Sequence, residues 1–90
     1  MTDPTIAVLP FLNMSAEKDN EYFSDGITEE IINALAQIEN LKVISRTSSF
    51  YFKNKEVPLK EIATQLGVAN ILEGSVRFAG GRVRITAQLI

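Results

Sequence analysis

The sequence predicts an α/β domain of four strands and two main helices, in the chain order β-α-β-turn-α-β-β. Three observations carry this reading. Residues 5–11 (Thr-Ile-Ala-Val-Leu-Pro-Phe) are apolar on both faces, as in a strand covered by helices on each side. Phe23, Ile27, Ile31, Leu35 and Ile38 recur at steps of 4, 4, 4 and 3, the spacing of one helical face. The last segment alternates apolar and polar residues on either side of Gly80-Gly81, the pattern of a hairpin.

Taken in order, Pro10 is expected to end the first ladder, because it has no N–H to donate. A polar loop follows, with Asn13, Ser15, Glu17, Lys18, Asp19 and Asn20. The first helix is expected from about Asn20 to Ile38, with Asp19 or Asn20 as its cap and Ala34 widening its apolar stripe. Asp25, Glu29 and Glu30 lie in its N-terminal half, where negative charge suits the helix dipole. Gly26 inside this run costs about 1 kcal/mol against Ala, which close backbone packing or the approach of a ligand would explain. Leu41 to Ser45 reads as a second strand, parallel to the first by the βαβ rule. From Arg46 to Lys55 one helical turn is expected, then a loop at Asn54. Pro58 suits the first position of a second helix near 58–66, and Gly67 suits its left-handed end.

The hairpin has one register that pairs every apolar residue with an apolar partner. Phe78 faces Val83, Val76 faces Ile85, Gly74 faces Ala87 and Leu72 faces Leu89; a one-residue slip breaks all four pairs. On the other face Arg77 meets Arg84, a like-charge pair that Glu73 and Glu61 are placed to offset.

Ninety residues form one domain, 1–90, with one modest core. Nine Lys+Arg against eleven Asp+Glu give a net charge of −2, which argues against a basic nucleic-acid binder. His and Cys are both absent, so Cys/His zinc sites, disulfides, thiol nucleophiles and His-based triads are excluded. The apolar stretch Ile6–Leu12 is seven residues and includes Pro10, far short of the ~20 that cross a bilayer. The acidic polar face of the first helix disfavours anionic lipid.

The residues offer little for catalysis. Glu29 and Glu30 diverge by ~100° on the helix surface, so they do not make a ligand pair. No phosphate-loop or dinucleotide-binding glycine pattern occurs. Ser15 and Ser24 have no visible base and read as cap or turn residues. Phe50-Tyr51-Phe52 with Lys53 and Lys55 fits base stacking beside a phosphate contact, or more simply a packed loop. The loop 13–20 lies where open α/β sheets place ligands, but Asp19, Glu21 and Asp25 beside it repel an anion. No catalytic, cofactor-binding or metal-ligating residue is assigned, and no cofactor is expected.

Several segments resemble, in order, the TolB-like amino-terminal domain found in bacterial signalling proteins. They are Ile6–Phe11, Asn13–Ser15, Glu21–Glu30, Val43–Ser48, Leu66–Val68, Leu72–Arg77 and Arg82–Leu89. The resemblance implies a mixed sheet in the order 2-1-3-4 with strand 4 antiparallel. It is that of the anticodon-binding-domain-like TolB amino-terminal fold without its fifth strand. In that family the pattern runs on past Ile90, so a chain truncated at its C-terminus is expected. Such modules accompany adenylate or guanylate cyclase, winged-helix or serine/threonine kinase domains, often with tetratricopeptide repeats. The resemblance therefore implies a non-catalytic regulatory or protein-interaction module, with protein partners or neighbouring domains of a parent chain. The compartment, cytoplasmic or periplasmic, depends on that parent. The alternative is a small-ligand or nucleotide sensor binding at the loops after strands 1 and 2. No nucleic acid and no membrane insertion by this segment are expected. The edge of strand 82–90 is expected to pair with a second copy, as a consequence of the truncation.

Overall fold

A computed structural model describes residues 3–15 and 18–90. The elements are β1 (Thr5–Val8), β2 (Leu12–Asn13), α1 (Asp19–Ala36), β3 (Lys42–Val43), α2 (Arg46–Phe50), α3 (Leu59–Leu66), β4 (Asn70–Ala79) and β5 (Arg82–Leu89). The Asp19 side chain and Glu17, both invoked at the expected helix entry, lie outside what is described.

β1 pairs in parallel with β3 on one side and with β4 on the other. β5 returns antiparallel on the far edge of β4. Among the described residues the sheet has five strands rather than four, because the chain re-enters it after Pro10 as β2, which also pairs with β4. The expected order 2-1-3-4 changes in this detail: the additional strand, Leu12–Asn13, follows directly on the first expected strand and takes in the start of the expected polar loop. Pro10 does interrupt the ladder, for the reason anticipated. The sheet recovers because one residue is spare: Val8 aligns with Leu72 and Leu12 with Ser75, four steps on one strand against three on the other. This is a bulge in a parallel pair, an uncommon place for one.

Among the described residues there are three helices: the two main helices expected and a short one. The turn expected after Arg46 is α2, and Ser45 caps it by accepting the Ser48 N–H on its side chain. Asn54 takes a positive φ of 62° in the loop that follows. Pro58 is the N-cap of α3, which therefore begins one residue later than expected, and Gly67 closes that helix at φ 67°. α1 starts from Lys18 without a side-chain cap and ends at Ala36, which leaves Ile38 outside it and 51% exposed.

The core has two parts, one on each side of the sheet. Val8, Phe11, Ile32 and Val76 are buried together, with Ile27, Ile31 and Leu35 of α1 packed against them. Ala7, Leu9, Phe52, Ile62, Val68 and Ile71 form the other, with Leu59, Ala63 and Leu66 of α3 packed against them. The buried line of α1 is shifted from the expected stripe. Ser24, Thr28 and Ile32 are buried, Ile27 and Ile31 are half-buried, and Phe23 is 40% exposed, its ring edge-on to Phe78 with centroids 4.9 Å apart.

The hairpin has the expected register at all four apolar pairs and at Arg77–Arg84. Gly80 and Gly81 take φ of 55° and 75°. Glu73 and Glu61 do not neutralise the arginines; among the described residues neither arginine has an ion pair. All eight residues of β5 are exposed: Val83, Ile85 and Leu89 share the sheet face of Phe78, Val76 and Leu72, but the α1 contact that reaches Phe78 leaves β5 bare. Among the described residues no helix is long and apolar enough to cross a membrane.

Candidate functional site

The bulge at Pro10 shapes one wall of an open cleft. Beyond β1 the Leu9 N–H still donates to the Leu72 carbonyl at 2.9 Å. Pro10 has no N–H, and the Phe11 N–H turns away from the sheet and donates to Thr28 Oγ1 at 2.9 Å. Thr28 in turn donates to the Ser24 carbonyl at 3.0 Å, and Ser24 to the Asn20 carbonyl at 2.9 Å. Small polar side chains on the buried line of α1 thus receive a backbone donor that the broken ladder has released. The Phe11 ring lies over Gly74, where a Cβ would come within 2.6 Å of Phe11 Cε2 and would also collide with the Thr86 carbonyl oxygen.

Opposite this break stands the segment from Phe52 to Val57. Phe52 anchors it in the core, and Lys53 ties it to α1. Lys53 Nζ donates to Asp25 Oδ2 at 2.7 Å and lies 3.2 Å from Glu21 Oε2. The hydrogen bond to Asp25 holds the ammonium above the usual lysine pKa of 10.5, with a smaller contribution from Glu21 and with burial acting against both. Lys55 Nζ stands 3.3 Å from the centre of the Tyr51 ring. Arg46 lies over the Phe50 ring at 4.0 Å and pairs with Glu29.

Between these walls is an open cleft of about 630 Å³ at the carboxyl end of β1. Its floor is apolar, with Leu9, Phe52, Leu59 and Ile62, and its rim is charged, with Glu21, Lys53, Lys55, Glu56 and Glu73. A shallower groove of about 220 Å³ shares Leu12, Glu73 and Gly74 and continues over Ser75 and Thr86–Gln88. The cleft lies at the loops after the first two expected strands, where the sensor alternative placed a ligand.

The individual residues singled out from the sequence fall mostly into structural roles. Ser24 is buried in the α1 chain of hydrogen bonds. Ser15 closes a turn on Asn13 Oδ1 and accepts the Phe78 N–H at 2.6 Å. The aromatic run is divided, with Phe52 in the core, Tyr51 under Lys55 and Phe50 under Arg46, which is the packed loop rather than a stacking platform. Gly26 serves neither reading offered for it, since a Cβ there meets nothing within 4 Å and Gly26 does not line the cleft. Among the described residues no group of three or more acidic side chains could hold a metal ion. Glu73 is the cleft residue that sequence reasoning assigned elsewhere, as a counter-ion for arginine; only the position of the α3 wall reveals that it faces a cavity.

The fold is similar to that of the LpoB C-terminal domain. The Escherichia coli domain superposes with a TM-score of 0.68 over 98% of this chain and 71% of that one, at 18% identity. The Salmonella enterica domain gives 0.58 over 100% of this chain and 84% of the other, at 15% identity. These likenesses establish the fold, a TolB-like α/β arrangement. In sequence, the chain is 52% identical over 87 residues to "Putative adenylate cyclase 3" of Rhizobium meliloti (strain 1021). The match covers 97% of this chain but only 15% of that protein. No family model matches the chain.

Proposed function

We propose that this domain is a non-catalytic interaction module that works within a larger bacterial signalling protein of the cyclase type. The observation that carries the reading is β5. Among the described residues no strand pairs with its outer edge, and Val83, Ile85 and Leu89 stand exposed on the face that α1 leaves bare. An apolar row beside an open edge suits an added strand or a neighbouring domain. The likeness to one segment of a cyclase-named protein supports a role beside other domains.

A chimera tests this: the matching 87-residue segment of the Rhizobium meliloti relative is replaced by this chain, with and without Ile85→Glu, or deleted. The expected result is that cyclase turnover or its response to stimulus changes on deletion, is restored by this chain, and is lost again with Ile85→Glu. Turnover and response that are indifferent to deletion would reject the reading.

The sensor alternative would use the cleft beside β1, whose charges do not suit a phosphate. Lys53 is held by two carboxylates and Lys55 by a ring, whereas Glu56 and Glu73 have no ion pair among the described residues. A thermal-shift screen with nucleotides and common metabolites decides between them. Saturation at 100 times the dissociation constant stabilises a fold by about 2.7 kcal/mol, so a ligand of useful affinity is readily seen.

A further inference from the structure

We propose that the cleft beside Pro10 is the docking site for an extended polypeptide segment carrying a lysine or arginine, with Glu73 as its ionic anchor. The proposal rests on the interaction-module reading and adds the chemistry of the partner. Three features define the occupant. The first is residual charge. Of the five charged side chains on the rim, Lys53 and Glu21 are engaged with each other and Lys55 is drawn onto Tyr51. Glu73 and Glu56 have no ion pair among the described residues, so what the cleft offers to a newcomer is negative.

The second feature is the setting of Glu73. It is half-buried on β4, between the apolar floor of the cleft and the shallower groove, and belongs to both. A carboxylate partly withdrawn from water and left without a counter-ion gains most from a charge-assisted bond to an incoming cation. The apolar floor suits the methylene stem of a lysine or arginine, which buries its carbons while its head meets the carboxylate.

The third is shape. Leu12, 62% exposed on β2, and the groove over Ser75 and Thr86–Gln88 prolong the cleft along the sheet. An elongated, open trough with an apolar step beside a charge fits a chain in extended conformation, whose alternate side chains reach one surface. A compact metabolite would leave most of it empty.

The test uses the ¹⁵N-labelled chain titrated with two synthetic pentapeptides, acetyl-Val-Lys-Val-Lys-Val-amide and acetyl-Val-Glu-Val-Glu-Val-amide, followed by amide chemical shifts. The lysine peptide is expected to bind with a dissociation constant below about 1 mM. Its shifts should centre on residues 9–12, 53–57 and 73–75, and the glutamate peptide should cause none. Glu73→Gln should weaken binding about tenfold, the usual worth of one charge-assisted bond. Glu30→Gln, on the exposed face of α1, should leave it unchanged. Equal loss in both variants would mean non-specific attraction to an acidic protein and would overturn the proposal. So would an unaltered affinity in Glu73→Gln, or no shifts at all with the lysine peptide. Shifts confined to 82–90 would also overturn it while leaving the interaction reading intact. That reading fails separately, if the chimera's turnover and response do not change on deletion.

Discussion

The Phe11 amide donates to the Thr28 hydroxyl at 2.9 Å, across the gap between the broken first ladder and α1. Both residues are buried, and the donor has no sheet partner because Pro10 has displaced the chain by one residue. This bond lets the sheet resume as β2 and so shapes one wall of the cleft. Thr28→Val keeps the shape and removes the acceptor, leaving a buried N–H unpaired. It should cost about 1–3 kcal/mol, whereas Thr28→Ser should lose less. Urea unfolding measures both, and equal stability in Thr28→Val and the parent would deny the bond its role.

Two glycines should respond with opposite sign. A Cβ at Gly26 meets open space within α1, so Gly26→Ala should stabilise the domain by about 0.5–1 kcal/mol through helix propensity. At Gly74 the same methyl collides with the Phe11 ring and the Thr86 carbonyl, so Gly74→Ala should destabilise by about 1–3 kcal/mol and shift the β5 amide resonances. Thermal melts of the pair check the contrast.

The buried line of α1 predicts which isoleucine matters. Ile32 is 7% exposed in the core and Ile31 only half-buried beside it. Ile32→Ala should cost about 2–5 kcal/mol and Ile31→Ala clearly less. The reverse ranking in denaturant melts would restore the stripe read from the sequence.

Lys53 links α1 to the cleft wall, and its pKa is raised in the folded state. A raised pKa means that the stabilisation is fully present below the unfolded value of about 10.5 and is lost as pH rises through the folded one. The stability difference between the parent and Lys53→Met should therefore hold steady from pH 7 to 9 and shrink as pH rises past the ordinary lysine value of 10.5. Urea midpoints across that range measure it; a difference that grows with alkali would contradict the sign.

The open edge of β5 should pair with a second copy. A twofold axis at Thr86 sets Val83 against Leu89 and Arg84 against Gln88, which continues the apolar row and brings no arginine opposite another. Sedimentation at tens of micromolar should show association, and Ala87→Pro, which removes an N–H facing the open edge and not one bonded to β4, should reduce it without unfolding. A single species near 10 kDa at all concentrations would refute it.

The hairpin register is legible in the sequence because the side-chain period of a strand is two. Apolar alternation on both arms about Gly80-Gly81 leaves one alignment, and that alignment is observed. The left-handed end at Gly67 and the break at Pro10 are legible for the same kind of reason, since each follows from the covalent geometry of one residue. The α1 stripe lies one position away from where apolar spacing puts it. Counting apolar residues favours Phe23 and Ile27, but the helix meets the sheet where a released amide needs an acceptor, which draws Ser24 and Thr28 inward. Nothing local to residues 23–28 records that need.

Residue types and periodicities of two to four residues are enough to specify the α/β class, the hairpin with its register, and the absence of thiol or imidazole chemistry. The re-entry of β2, the inward turn of Thr28, the bare flank of β5 and the cleft with Glu73 on its rim have no such local signature. Each of these arises between segments tens of residues apart. Phe11 meets Thr28, Lys53 meets Asp25, and Leu9 meets Ile62 in the core floored by Phe52. The sign and position of such contacts follow from which backbone and charged groups remain unsatisfied once the sheet has closed.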